Sequence, residues 1–303
     1  MDGDDPDHLP MVAKDDSKMT THEIKGALLA ERMRMLGRTF KALARHDEPT
    51  VEERRIMLHD SANSVLMGMK YDGSPAYWRY ESTQRSSSMA PHMLVQGDDS
   101  PRLDAYVHDL VLQLVDKRNA YIHMIDPCHR FGDDHAGIRE YADDATNMER
   151  MIGDLEKEMN SRFYSIAGVS NESGMPVPAS ALFLVICDVN VATSMFTTSN
   201  VARLEILLRV GRSAGIHVVV INPSPQPVRL RSEAMANIGL HVTIGYMHDS
   251  TDHNVMTIPR GDYGLMDNYG ALTPIRLLGM ECSASSSSKG RNVPGNDNEP
   301  LNG

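Results

Sequence analysis

Continuous apolar runs separated by helical stretches constrain the fold of this chain most. In 182–187 apolar residues follow one another without interruption, and in 216–221 only His217 interrupts them, so neither run has the polar alternation of a strand exposed on one face. Between such runs, 102–117 and 144–166 place apolar residues three and four positions apart, which indicates amphipathic helices. The alternation predicts a mainly parallel sheet covered by helices on both faces, with about four core strands between residues 92 and 244.

The remaining segments divide the chain into parts. Residues 1–20 are acidic and polar and are expected to be disordered, and 21–61 is expected to form a helical arm. The α/β domain should occupy 62–282, beginning with a hairpin at Val65–Tyr80 and ending with edge strands. The Ser-, Gly- and Asn-rich tail, 283–303, carries no pattern and is expected to be disordered. The arm either packs on its own domain or docks on a partner.

Charge and cysteine content limit the classes of function. The 303-residue chain has 41 acidic and 30 basic side chains and a net charge of −11, which opposes DNA binding unless basic residues cluster. Its three cysteines have no spacing pattern, which indicates a reducing compartment. Neither a signal peptide nor an apolar stretch of about 18 residues is present, so we expect a cytoplasmic chain that reaches a membrane only through a partner.

The first core strand ends where nucleotide-binding proteins carry G-x-x-x-x-G-K-[ST]. Gly97 fits the first glycine, but Arg102 replaces the second glycine, Leu103 the lysine and Asp104 the Ser/Thr. Arg102 adds a side chain where backbone N–H groups close around phosphates. Leu103 cannot neutralise phosphate charge, and Asp104 adds negative charge. The loop is therefore predicted to repel a triphosphate.

Several segments, collinear over roughly 65–280, carry a resemblance to a known family. They read PHMLVQG (91–97), YIHMIDP (121–127), EMNSRF (158–163), GRSAGIHVVV (211–220) and ANI (236–238). This pattern resembles the motor domain of the FtsK/SpoIIIE translocases, and Ile258–Gly261 followed by Gly264 is similar to the closing segment of EccC, the type VII secretion member. The resemblance implies a RecA-like P-loop NTPase fold.

The resemblance also locates the family's other working residues. Asp188 falls on the Mg²⁺-binding aspartate of the Walker B strand, but Val189 stands in place of the glutamate that polarises water, and Pro223 in place of the sensor glutamine. Neither 245–248 nor 252–254 supplies an obvious arginine finger. Phosphoryl transfer depends on positioning and charge neutralisation, so we expect a vestigial nucleotide site that hydrolyses no ATP and needs no cofactor.

Two functions follow from this resemblance. One is a pseudo-ATPase acting as a scaffold, regulatory or substrate-recognition component of a DNA- or protein-translocating machine such as type VII secretion. Its protein partner would be an active translocase subunit or a secretion substrate, and a homo-oligomer is left open. The alternative is a divergent ATP-dependent DNA translocase that still binds ATP and Mg²⁺. A weaker third reading is a non-catalytic binder of another ligand in the vacated cleft.

Other clusters have simpler interpretations. The basic residues near the last crossover either form a solvated face with ion pairs or contact a neighbouring subunit or nucleic acid; they are Arg203, Arg209, Arg212, Arg229 and Arg231. His123, His129 and His135 lie six apart, which matches no usual metal spacing, so no metal site is expected. No serine has a Gly-x-Ser-x-Gly elbow around it, which argues against a hydrolase.

Overall fold

The computed structural model describes residues 31, 34–45, 49–59, 64–80, 89–117, 119–132, 136–169, 180–248, 255–258 and 262–278. The predictions for 1–20, 252–254 and 283–303, and for parts of the arm, lie outside the described residues. Within the described ranges, every helix is too short or too polar to cross a bilayer.

A ten-stranded sheet organises the chain in the order β2-β1-β12-β11-β8-β3-β7-β6-β4-β5. Its strands are β1 (Ser64–Met69), β2 (Pro75–Arg79), β3 (Met93–Gly97), β4 (Ala120–Ile125), β5 (Glu140–Ala142), β6 (Ala181–Ile186), β7 (Ile216–Asn222), β8 (Leu240–Ile244), β11 (Tyr263–Asn268) and β12 (Ala271–Arg276). A separate two-stranded ribbon pairs β9 (Tyr246–His248) with β10 (Val255–Thr257).

The parallel part of the sheet has six strands, β8 to β5 in that order, so the expected number of about four was too low. The short strand β5 has only three residues, too few for an apolar run to reveal it. The predicted hairpin is confirmed by β1 and β2. The strands β11 and β12 also form an antiparallel pair, but they lie inside the sheet, between β1 and β8, and not at the edge where the sequence predicted them.

Helices connect and cover the strands. They are α1 (34–43), α2 (Val51–His59), α3 (Pro101–Val115), α4 (Ala145–Val169), α5 (Val189–Met195), α6 (Thr198–Val210) and α7 (Ser232–Met235), with a 3₁₀ turn at Gly211–Ala214. The short helix α5 was not predicted, because its seven residues are too few to show a helical period.

Both faces of the sheet are buried, as predicted. In β6, Phe183 and Val185 face a core shared with α3, whereas Leu182, Leu184 and Ile186 face a core shared with α4 and α6. Successive strand residues point to opposite faces, so a strand covered on both sides must be apolar throughout.

Helix α1 packs on its own domain. Leu36, Phe40 and Leu43 recur at helical spacing and are buried against β11, where the Phe40 and Tyr263 rings meet edge to face at 6.2 Å. This contact favours the first of the two roles expected for the arm.

Two histidines that carry the family resemblance tie β3 to β7. Nδ1 of His92 accepts the Val218 N–H at 3.0 Å, and Nδ1 of His217 lies 3.0 Å from the Pro91 carbonyl oxygen. Both rings are 1% exposed and lie at the amino ends of these strands. The motifs therefore stabilise the sheet at the edge opposite the predicted nucleotide site.

Arg162, from another of the resembling segments, has a similar structural task. Its guanidinium donates hydrogen bonds to the carbonyls of Ser180 and Ala214, both at 2.9 Å, and pairs with Glu158 at 2.9 Å. These contacts fasten α4 to the chain just before β6 and β7.

Candidate functional site

The carboxyl ends of the parallel strands bring the predicted site residues to one edge. Gly97 ends β3 and Asp188 follows β6, and β7 lies between these two strands and ends at Asn222. Ligands of open α/β sheets bind at this edge. The topology therefore places the predicted nucleotide-binding residues at the edge where ligands bind in such sheets. The side chains at this edge then decide which ligand can bind.

The loop after β3 satisfies its own backbone. Ser100 caps α3, and its Oγ accepts the Leu103 N–H at 3.4 Å. Pro101 follows at the first helical position, where it has no N–H to offer. Helix N-termini bind phosphate through free N–H groups. Here the Ser100 cap and Pro101 reduce the number of backbone N–H groups at the start of α3 that a phosphate could bind.

Gly97 has a packing reason of its own. A Cβ at this position would lie 2.7 Å from the Ile244 carbonyl oxygen of the neighbouring strand β8. The close approach of two strands therefore requires glycine here whether or not a phosphate binds.

Neither Leu103 nor Arg102 is placed to bind a phosphate. Leu103 is fully buried in the core between α3 and the sheet. The Arg102 guanidinium donates to the Tyr263 carbonyl at the start of β11. Burial lowers the pKa of Arg102, against the opposing influence of Asp262 and Asp98. Arg102 is thus engaged on the β11 side of the loop and does not replace the missing lysine.

A cation from the loop after β4 pairs with two carboxylates at the start of α3. Nη1 of Arg130 lies 2.7 Å from Oδ1 of Asp104, and Nη2 lies 2.9 Å from Oδ1 of Asp99. The Arg130 side chain is only 14% exposed. Although partial burial alone would lower its pKa, the two carboxylates raise the pKa of Arg130 above its ordinary value. We call this three-residue contact the ionic staple.

The end of β6 is closed by short-range contacts. Asp188 has a left-handed backbone (φ 51°) and caps α5, accepting the Val191 N–H at 3.3 Å. Sγ of Cys128 lies 3.6 Å from Oδ2 of the same carboxylate. Burial and the Asp188 charge raise the pKa of Cys128. Val189 is fully buried, and its side chain offers no base beside Asp188.

An amide network fills the gap between β6 and β7. Asn222 donates to the Gln226 carbonyl at 2.7 Å, and Asn190 donates to the Pro227 carbonyl at 3.2 Å. Oδ1 of Asn190 accepts the Arg229 N–H at 2.9 Å. Pro223 is buried beneath this loop. The amides of Asn190 and Asn222 are therefore engaged in hydrogen bonds that hold the loop after β7.

Asp126 is the most buried acid of this edge. It is 0% exposed, and its Oδ2 accepts the Phe131 N–H at 3.0 Å and the Tyr141 hydroxyl at 3.1 Å. Its Oδ1 and the Nε of Arg130 have no hydrogen-bond partner among the described residues. Burial, followed by the Asp126 charge, raises the pKa of Tyr141.

The structure thus adds residues that the sequence analysis did not single out: Arg130, Asn190 and Asn222. Only the order of strands brings Arg130, from the loop after β4, to the loop after β3. One signal was present in the sequence, since an acidic loop that replaces a P-loop needs a cation from elsewhere.

The predicted basic cluster separates into paired and unpaired members. Arg203 pairs with Glu156 at 3.0 Å, and Arg231 with the buried Glu205 at 3.4 Å. Arg212 contacts Sδ of Met89. Among the described residues, the guanidinium groups of Arg209 and Arg229 have no ion pair, so only part of the cluster is free to meet a partner.

The histidines considered for a metal site have separate surroundings. His123 lies 3.2 Å from Glu140, and His129 lies 3.7 Å from Asp143. His135 lies outside the described residues. No metal-binding group of three His, Cys, Asp or Glu side chains occurs in the part of the chain that the structure describes.

Comparison with solved structures identifies the fold. The chain is similar to the pCW3 conjugation coupling protein TcpA, with a TM-score of 0.58, 14% identity and coverage of 72% of this chain and 66% of that one. It is also similar to ATPases 2 and 3 of Thermomonospora curvata EccC, with a TM-score of 0.53, 17% identity and coverage of 72% and 41%. The fold is that of FtsK/SpoIIIE-type ATPase domains.

A further similar structure is EssC (ATPases 2 and 3) from Geobacillus thermodenitrificans, with a TM-score of 0.53, 16% identity and coverage of 71% and 44%. The matched region spans 66% or less of the length of these three structures. At these identities the likeness concerns the fold alone. No family model and no curated protein matches the chain.

Proposed function

We propose that this domain is a catalytically silent FtsK/SpoIIIE-type module that serves as a scaffold, regulatory or substrate-recognition component of a DNA- or protein-translocating machine, such as type VII secretion. The observation that supports it best is the ionic staple. Where an active site would present a cation to phosphate, the chain presents Asp99 and Asp104, both paired with Arg130, so that the three side chains together keep a net negative charge.

A magnesium-bound triphosphate does not fit the side chains at this edge. Phosphate binding requires free N–H donors and positive charge, but Ser100 caps the helix and Leu103 lies in the core. Hydrolysis further requires a base beside the Mg²⁺ ligand, and Val189 offers none. What the domain retains is an intact core whose surface can bind a partner.

The kind of partner is suggested by the similar structures. TcpA is described as a conjugation coupling protein and EccC as a type VII secretion ATPase. We infer a protein partner of this chain, either an active translocase subunit or a secreted protein. Arg209 and Arg229 are candidate contacts because both are exposed and their side chains lack ion pairs among the described residues.

One observation favours the alternative of a divergent ATP-dependent DNA translocase. Asp188 stands at the carboxyl end of β6, where the family's Mg²⁺ ligand is found. Its carboxylate, however, caps α5 and contacts Cys128. Nucleotide binding would have to displace these contacts and the ionic staple.

Isothermal calorimetry of MgATP against the purified protein, with an ATP-turnover assay on the same sample, tests the proposal. We expect neither heat of binding nor turnover, in the wild type and in Asp188→Ala alike. Turnover that Asp188→Ala abolishes would overturn the proposal and establish the alternative. Binding without turnover would replace the silent module with a nucleotide-gated one.

The partner is tested separately. We expect the protein to co-elute with an active FtsK/SpoIIIE-type ATPase subunit or its substrate in size-exclusion chromatography, and Arg209→Glu with Arg229→Glu to weaken the complex. A monodisperse monomer that retains neither would contradict the scaffold role even if nucleotide binding is absent.

A further inference from the structure

Helix α1 carries a row of cations along its outer face. The buried residues of this helix, Leu36, Phe40 and Leu43, pack on β11, whereas exposed cations recur at similar helical spacing between them. The exposed cations are Arg34, Arg38 and Lys41, followed by Arg45 in the turn that ends the helix. We call these four residues the basic stripe.

The spacing of the basic stripe puts its side chains on one side of α1. At about 3.6 residues per turn, the four positions fall within about 60° of one another, roughly opposite the buried leucines and Phe40. At about 1.5 Å per residue, the row is about 16 Å long. Because the apolar face is fixed on the domain, the cations are held outward in a line.

The basic stripe has little compensating charge. Among the described residues, the last three members of the stripe form no ion pair, and Glu31 is the one acidic side chain of the described part of α1. The acid of the strand beneath α1 is engaged elsewhere, since the Asp267 carboxylate accepts the Gly270 N–H at 2.6 Å. The net charge of the chain is −11, so the stripe is opposite in sign to the chain that carries it.

A solvated helix face is the simpler interpretation of exposed cations, but such a face usually mixes both signs of charge. Helix α4 does so, because Arg150 and Lys157 both pair with Asp154. In α1, like charges follow one another three and four residues apart, an arrangement that destabilises a helix. The pattern therefore favours a surface that meets an anionic partner.

We propose that the basic stripe is a docking surface for an acidic segment of a partner protein, with carboxylates spaced three and four residues apart. A helix with this spacing would present a row of carboxylates of the same length as the stripe. Each carboxylate could then pair with one cation, and three of the four cations are arginines, whose planar guanidinium binds carboxylates through two parallel hydrogen bonds.

Two other anionic partners fit the stripe less well. A basic helix that binds a membrane buries its apolar face among the lipids, but Leu36 and Phe40 are already buried against β11. A nucleic acid is a long polyanion that extends beyond one helix, and the net charge of −11 opposes its approach. A short acidic segment contacts the stripe alone.

Fluorescence anisotropy with a designed peptide tests the proposal. The probe is a labelled, alanine-based helical peptide with glutamates at the spacing of the stripe, and the matched probe carries glutamine at the same positions. We expect the purified 303-residue protein to bind the glutamate probe at least about tenfold more tightly than the glutamine probe, with a smaller difference at high salt.

Charge reversal separates the stripe from general attraction to acidic peptides. Arg38→Glu with Lys41→Glu should weaken binding of the glutamate probe about tenfold or more. Arg55→Glu with Lys157→Glu, at side chains that are 80% exposed on two other helices, should change it less than about twofold. The reversed stripe should in turn bind a lysine probe of the same spacing. Equal effects of the two double variants would overturn the proposal.

The same variants decide between classes of partner. If phosphatidylserine vesicles or duplex DNA bind more tightly than the glutamate probe, and Arg38→Glu with Lys41→Glu abolishes that binding, the stripe belongs to a membrane or a nucleic acid and the proposal is wrong. Circular dichroism checks that the variants fold, and Arg38→Gln with Lys41→Gln repeats the measurement if reversal unfolds α1. None of these results depends on MgATP, so the proposed function is tested separately.

Discussion

The buried imidazole of His92 makes the stability of this fold depend on pH. The ring is 1% exposed, and its Nδ1 accepts the Val218 N–H between β3 and β7. Burial lowers the pKa of His92 to about 3, and the neighbouring His217 and Arg212 side chains act in the same direction. In the folded state the His92 ring is therefore neutral, whereas in the unfolded chain the His92 side chain has its ordinary pKa of about 6.5.

The direction of the pH effect follows from proton binding. Below about pH 6.5 the unfolded chain binds a proton that the folded chain does not, so stability falls as the pH drops from there toward 3. The slope is about 1.4 kcal/mol per pH unit, which gives a loss of about 2 kcal/mol by pH 5. Above about pH 6.5 the contribution is complete.

Asparagine at position 92 provides the matched control, since its Oδ1 can accept the Val218 N–H but does not titrate. Guanidinium unfolding would be followed by fluorescence of Trp78, the only tryptophan, which is 1% exposed and packs edge to face on Phe183, a ring that also contacts His217. Between about pH 7.5 and about pH 5, the wild type should lose about 2 kcal/mol more than His92→Asn. Equal losses in the two proteins would refute the reasoning.

Two further predictions concern the candidate site. Leu103→Ala should lower the free energy of unfolding by about 3 kcal/mol, because it leaves a cavity in the core. Leu112→Ala, on the exposed side of the same helix, should change the free energy of unfolding by about 0.5 kcal/mol or less. Both values would be measured by urea titration, and similar values for the two variants would contradict the burial of Leu103. Arg130→Ala should lower the free energy of unfolding by about 1–2 kcal/mol. This loss should exceed that of Arg150→Ala, because the Arg150 side chain also contacts two carboxylates but is 52% exposed. Thermal unfolding at low and high salt would compare the two, and no difference between them would show that the ionic staple adds nothing to stability.

Much of the fold could be predicted from the chain itself. The apolar run of β6 indicated a strand buried on both faces, and its residues do alternate between two cores. The hairpin of β1 and β2 followed from a turn between two apolar runs. The three-residue strand β5 was not predicted, because a hydrophobic period cannot be read from so few positions.

The candidate site was only half visible in the sequence. The absence of a lysine at position 103 and of a glutamate at position 189 could be read residue by residue, because each chemistry needs a particular side chain at a particular strand end. What stands in their place could not. Arg130 and Asp99 are 31 residues apart, and nothing in their local pattern pairs them.

The sequence by itself therefore determined the succession of strands and helices along the chain and the burial of the core, and it predicted a site without a phosphate-binding lysine or a base, since these depend on side-chain type and local spacing. Only the tertiary structure decided that Arg130 pairs with Asp99 and Asp104 and that His92 and His217 bind strands together. Each of these depends on which strand ends and helix faces meet in space, and that follows from the packing of the whole sheet.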